Sequence, residues 1–192
     1  MRGVLRVFVD ANVLYSRTQR DWLALIYLQG EQSPYEVYWS EDVLAEVAYH
    51  LRRRHPLWSG RKIATLRDRI AGTFEVGRVT DFEVVAVDGV TDEHDLHVHA
   101  AAVSCSADIV LTNNVRDFVG VEDYDVLTPD ELFVLVDDSA PDAVAAAAAA
   151  EQADYWGRRG TADLAESLVD AGWPGFAERV QGHLRWMALS GQ

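Results

Sequence analysis

The chain has 192 residues, 49% of them apolar, which suits one good core or one domain with a small appendage and excludes a disordered chain. Cys105 is the only cysteine, so an internal disulfide is excluded, and the longest unbroken apolar run, Ala143 to Ala150, is far too short to span a bilayer. A formal net charge of −14 argues against nucleic acid as a partner wherever that charge is spread evenly.

In chain order, Met1 to Asp10 carries arginines at 2 and 6 and few apolar residues, too short and too broken for a signal peptide. With the lone cysteine and no membrane span, the expected location is the cytoplasm. Leu5 to Val9 reads as a buried strand ending at Asp10. Leu14, Trp22, Leu25, Ile26 and Leu28 predict a helix from about Val13 to Leu28. Glu36 to Trp39 is a short strand, and Ser40 caps a helix reaching about Arg54, with Val43, Leu44, Val47 and Leu51 on one face. Pro56 breaks the chain before a helix over about 60–71, and Phe82 to Val87 reads as a strand. Thr91 or Asp92 caps a helix reaching about Ser106; Ile109 to Leu111 and Tyr124 to Leu127 are strands, and Pro129 opens a short helix. Strands alternating with helices predict a parallel sheet covered on both faces, with ligands beyond the carboxyl ends of its strands. A boundary over Asp137 to Pro141 divides the chain into a domain over 1–137 and an all-α extension over 138–192. In the extension, Phe176, Val180, Leu184 and Met187 repeat at helical spacing as a packing stripe.

Four acids fall at the edges of these elements: Asp10, Glu46, Asp95 and Asp117. Two carboxylates about 4 Å apart repel by about 4 kcal/mol at an effective dielectric near ~20, and a divalent cation is the usual relief. Each acid also has a plainer use. Asp10 suits turn chemistry, Asp95 a helix first turn and Asp117 the surface, while Asp92 is better read as an N-cap than a ligand. Asp42, one turn before Glu46 on the same face, is the rival for the helix acid. His94, His97 and His99 match no strong zinc spacing and no cysteine pair accompanies them, so zinc is disfavoured. Cys105 reads as inert core.

Phe8-Val9-Asp10-Ala11-Asn12, Glu46 within a helix, Asp95 to Ala102, and Leu111-Thr112-Asn113-Asn114-Val115-Arg116-Asp117-Phe118 occur in an order and spacing that resembles the PIN domain family, and within it the VapC-type toxin ribonucleases. The resemblance covers roughly residues 5 to 136. It implies a three-layer α/β/α sandwich with a central parallel sheet, and a Mg²⁺- or Mn²⁺-dependent endoribonuclease leaving 5′-phosphate and 3′-hydroxyl ends. The family's acidic set falls on Asp10, Glu46, Asp95 and Asp117, with Asn12, Thr112 and Asn114 in support. Many relatives carry an acid where Asn114 stands. A toxin further implies an RNA substrate, an antitoxin partner and a homodimer, and the chain past 137 resembles the extra helical region of some such toxins.

The basic residues give the RNA reading a place to act. Arg52, Arg53, Arg54, Arg61, Lys62, Arg67 and Arg69 fall between residues 52 and 69, seven of the 17 Lys and Arg. They form either a ridge for RNA phosphates, with Arg52, Arg53, Arg54, Arg61 and Lys62 as contacts, or the solvated faces of two helices. Two alternatives weaken on inspection: an aspartyl-phosphate hydrolase wants an acid where Asn12 stands, and a receiver domain wants a lysine after its last strand, whereas the only lysine is Lys62. The competing class is a PIN-fold module that binds RNA or protein without catalysis.

Overall fold

The structure is a computed structural model that describes residues 4–29, 33–159 and 164–190; Arg2, which enters the reading of the N-terminus, lies outside them. Strands β1 (Leu5–Val9), β2 (Tyr35–Ser40), β3 (Arg78–Val79), β4 (Ile109–Leu111) and β5 (Asp125–Leu127) form one parallel sheet in the order β3-β2-β1-β4-β5. Val7, Phe8 and Val9 have no exposed surface, as a strand covered on both faces requires. Val7 lies opposite Val37 on one side and Ile109 on the other, so β1 is the centre of the core. Helices flank the sheet, and the fold is the expected α/β/α arrangement.

The helix expected over 13–28 is two: α1 (Ala11–Leu14) and α2 (Arg17–Tyr27). At the break, the Arg20 guanidinium donates to the Leu14 carbonyl at 2.7 Å, so a side chain satisfies a backbone acceptor that the helix leaves open. Ser40 caps α3 (Glu41–Arg54) as expected, accepting from the Val43 N–H at 3.3 Å, and Val43, Leu44, Val47 and Leu51 face inward. Arg52, Arg53 and Arg54 fill its last turn, where positive charge meets the helix dipole favourably. Ser59 caps α4 (Gly60–Thr73) through the Lys62 N–H.

The strand expected over Phe82–Val87 is absent. The third strand is Arg78–Val79, and the chain then leaves the sheet with Val84 and Val85 more than half exposed. Their apolar character has no core to meet. Just before β3 the chain closes on β2 at Gly77, where a Cβ would fall 1.7 Å from the Val37 carbonyl oxygen, so only glycine allows the approach. A 3-10 turn, Glu93–Asp95, then leads into α5 (Leu96–Ser104).

The chain divides into two compact units. The first is Met1–Arg20 with Tyr35–Thr128; the second is Asp21–Pro34 with Pro129–Gln192. The sequence places the boundary at 137, but α6 (Pro129–Ser139) runs through that position. Asp137 is buried there, its carboxylate 2.5 Å from His183 Nε2. The second unit also holds α7 (Pro141–Arg159), α8 (Leu164–Asp170) and α9 (Pro174–Ser190). Its core is aromatic: Phe176 packs edge-on to Trp22 at 4.8 Å and tilted on Phe133 at 5.0 Å. In the expected stripe Phe176 and Val180 are fully buried, while Leu184 and Met187 are half-buried. The Asp130 carboxylate accepts from the Gly175 and Phe176 N–H groups and so caps α9 from a neighbouring helix. Among the described residues no helix is long and apolar enough to cross a membrane.

Candidate active site

From β2 the chain moves outward to β3, then returns to the far side of β1 for β4. The strand order therefore reverses between β1 and β4, which is where open α/β sheets place their ligands. Asp10 and Thr112 are the first residues past those two strands. The Asp10 N–H donates to the Leu111 carbonyl at 3.0 Å and ties the two strand ends together. Asp10 is 3% exposed and Thr112 fully buried. The Thr112 hydroxyl donates to Asp10 Oδ2 at 2.6 Å, and Asn12 Nδ2 donates to the same oxygen at 2.5 Å. Thr112 Oγ1 in turn accepts from Asn12 Nδ2 at 2.9 Å and from the Asn114 N–H at 3.0 Å. Asn12 Oδ1 accepts from Asn113 N–H and Nδ2, and Gln19 holds the Asn113 amide from the other side. The expected supporting residues Asn12, Thr112 and Asn114 are thus one network that aims the Asp10 carboxylate. Asn114 takes part through its backbone.

Asp10, Asn12, Glu46, Asp95 and Asn114 line a cleft of about 690 Å³, together with Asp92, His94 and His97. Burial pushes the Asp10 carboxyl up, opposed by the Thr112 hydrogen bond and reinforced by the charge of Glu46. Asp95 is pushed up to about 7, first by burial and then by the charges of Asp10, Asp117, Asp92 and Glu46. Four scattered carboxylates therefore act on this one. Its own side chain caps nothing, whereas Asp92 accepts from the His94 N–H at 2.9 Å, the expected N-cap. Asp117 does not line the cleft; it is half-buried, with Thr91 Oγ1 3.5 Å from its carboxylate and the Thr91 N–H on its backbone carbonyl.

Glu46 rather than Asp42 faces the cleft; Asp42 is exposed. Two imidazoles hold Glu46: His97 Nε2 at 3.7 Å and His50 Nε2 at 3.1 Å. Together they keep its carboxyl below the usual range, and the same contact raises His97. His99 is buried against the Tyr124 hydroxyl at 2.9 Å, so the three clustered histidines do not converge. Among the described residues no three His, Cys, Asp or Glu side chains stand close enough to hold an ion. The acids share a field without forming a closed ligand set. Tyr15, Tyr49, His50 and Asn113 also line the cleft, and none was expected. His50 carried a readable signal, its spacing four residues after Glu46.

Replacing Thr112 with valine keeps the volume but removes the hydroxyl that bridges Asp10, Asn12 and Asn114. The chain is expected to lose roughly 1–3 kcal/mol, measured by denaturant unfolding, because buried polar partners are left unpaired. A change below about 0.5 kcal/mol would mean that water replaces the hydroxyl and the network is not rigid.

A PIN domain family model matches residues 6–116, more than half of the chain and the span from β1 to the loop after β4. No curated protein and no solved structure matches it. The matched span contains Asp10, Glu46 and Asp95 and stops one residue before Asp117. With a parallel sheet whose order reverses at β1 and acids gathered past its carboxyl edge, this chain belongs to the PIN domain family.

Proposed function

We propose that the protein is a Mg²⁺- or Mn²⁺-dependent endoribonuclease, and that it serves as the toxin of a toxin–antitoxin pair. PIN domains are generally nucleases. The observation that carries the metal-dependent reading is Asp95: a carboxyl in the cleft beside Asp10 and Glu46, raised to about 7 first by burial and then by its neighbours' charges, marks a place where a cation would be favoured. Carboxylate and amide oxygens suit hard divalent ions rather than zinc. Asp10, Asp95, Asp117 and Glu46 would hold the metal, some of them through water. When bound, it supplies a lowered pKa for water and polarisation of a phosphoryl oxygen.

The chain's own residues supply the positioning. Thr112 and Asn12 fix Asp10, and His50 and His97 fix Glu46, both in the lining of the same cleft. A phosphodiester seated there meets oriented groups. The last turn of α3 and the start of α4 carry the basic residues expected to meet RNA phosphates. Arg61 and Lys62 line a hollow of about 430 Å³ with Arg20, Trp58 and Arg69. Lys62 Nζ lies 3.8 Å from the Trp58 ring centroid, and the Arg53 guanidinium 5.7 Å from that of Tyr49. Arg52 donates to the Trp58 carbonyl and braces the turn between the helices.

The lack of a closed ligand set among the described residues favours a second reading, a PIN module that binds RNA or protein without cutting it. Total RNA incubated with the purified chain in Mg²⁺, in Mn²⁺ and in EDTA separates the two. Expected are internal cuts with 5′-phosphate and 3′-hydroxyl ends in either metal and none in EDTA. Cutting that persists in excess EDTA sinks the metal role, and no cutting with either metal leaves the binding module. The antitoxin and homodimer proposals are tested by co-expression with a neighbouring small gene and by sedimentation; free, monomeric chain in both would overturn them.

A further inference from the structure

Helix α3 carries one stripe that begins in the cleft and ends beyond its lining at Arg53. Glu46, Tyr49, His50 and Arg53 are spaced by three, four and seven residues, which places them on a single face. Tyr49 and His50 line the cleft with Glu46. Tyr15 lies across from them, its ring 5.0 Å from that of His50, and Tyr49 meets His50 edge-on at 5.5 Å. The Arg53 guanidinium then sits over Tyr49. Along α3 a carboxylate, two rings and a cation therefore follow one another in about 10 Å of helix, with the Tyr15 ring against His50 as a third. Tyr49 remains 57% exposed despite these neighbours. A single exposed aromatic is ordinary; an exposed aromatic between the acidic centre and a cation, in the wall of the cleft itself, is placed for a ligand that alternates flat rings with anions.

We infer that Tyr49 and Arg53 form a nucleobase subsite, in which a base next to the scissile phosphate stacks on the Tyr49 ring and the following phosphate meets Arg53. This rests on the ribonuclease reading and adds to it the residue that grips the base. Stacking is tolerant of base identity because every base has a π-face, so the subsite seats the strand without selecting its sequence. A paired base cannot offer its face in this way, and the subsite therefore accepts an unpaired nucleotide.

The test uses the full chain carrying Asp10→Asn, in Mg²⁺, so that the strand stays intact. Anisotropy of a labelled short single-stranded RNA, and of the same strand with abasic nucleotides, is measured against Tyr49→Ala, Tyr49→Phe and Arg53→Gln. Tyr49→Ala is expected to weaken binding of the normal strand roughly 5- to 100-fold, from the usual cost of losing one base–aromatic stack. Tyr49→Phe should stay within about twofold of the parent, because the ring is kept. The abasic strand should bind Tyr49→Ala and parent alike. Arg53→Gln should lower the slope of log affinity against log salt by about 0.7, one phosphate contact on a single strand. Equal binding by Tyr49→Ala and parent overturns the subsite, as does an equal loss with the abasic strand. The nuclease reading fails separately: an unmutated chain that does not cut RNA, yet whose strand affinity depends on Tyr49, would leave the subsite standing and remove the activity.

Discussion

Replacing Asp10 with asparagine is expected to reduce RNA cleavage by roughly three orders of magnitude, while the fold stays as stable or becomes firmer. Asp10 is 3% exposed at the sheet's switch point, and Oδ2 already receives the Thr112 hydroxyl and the Asn12 amide. Asparagine has nearly the same volume and keeps an oxygen to accept those bonds. It lacks the negative charge, which the chemistry needs and the fold pays for: burial drives the carboxyl's pKa up, so its ionised form costs stability at neutral pH. Activity and stability should therefore move in opposite directions. The measurements are cleavage of a defined RNA in Mg²⁺ and a thermal melt on the same sample. Cleavage within tenfold of the parent would remove Asp10 from the chemistry. A large fall in Tm would show that it is a structural acid.

The central strands and the helix caps were legible because short-range chemistry decides them. Val7, Phe8 and Val9 can be satisfied only by cover on both faces, and Ser40 and Asp92 cap helices wherever they precede one. The positions of Asp10 and Thr112 followed from the strand ends. Edge and boundary features were hidden for physical reasons. Val84 and Val85 look like strand residues, but an edge segment becomes a strand only if a partner edge is in reach; Gly77 set that approach earlier in the chain. The break at Tyr15 depends on Arg20 reaching the Leu14 carbonyl, a contact with no sequence signature. The cleft wall of Tyr15, Tyr49, His50 and Asn113 was missed because exposed aromatics and amides look alike until the sheet brings them to face the acids. Residue 137 looked like a linker because Asp-Asp-Ser-Ala-Pro is polar turn chemistry, yet His183 and Arg179 pair with Asp137 from forty residues further on.

The metal-free chain should lose stability as pH rises from about 4 to about 7, relative to Asp95→Asn. The folded chain holds the Asp95 proton up to about 7, against an ordinary value of 3.8. Between those values the folded state binds more protons than the unfolded one, so the stability contributed by this group falls with rising pH and is fully present only below the unfolded value. Asparagine carries no titrating proton and shows no such loss. Asp95 is half-buried, so solvent screening trims the effect to about 1–2 kcal/mol, or roughly 2–8 °C in Tm for a chain of this size. Comparing the two chains removes the contributions of the other acids, including Glu46, whose lowered carboxyl acts in the opposite sense. Adding Mg²⁺ should raise the Tm of the parent more at pH 8 than at pH 5, since a cation competes with the proton for the same carboxylates, and should raise Asp95→Asn less. Melting curves for both chains at pH 4 to 8, with EDTA and with Mg²⁺, test each part. If the two chains run parallel across that range in EDTA, neither burial nor its neighbours' charges raise the Asp95 carboxyl. If they diverge in EDTA but Mg²⁺ shifts neither, the acids are crowded without binding a metal, and the non-catalytic module becomes the better account of the cleft.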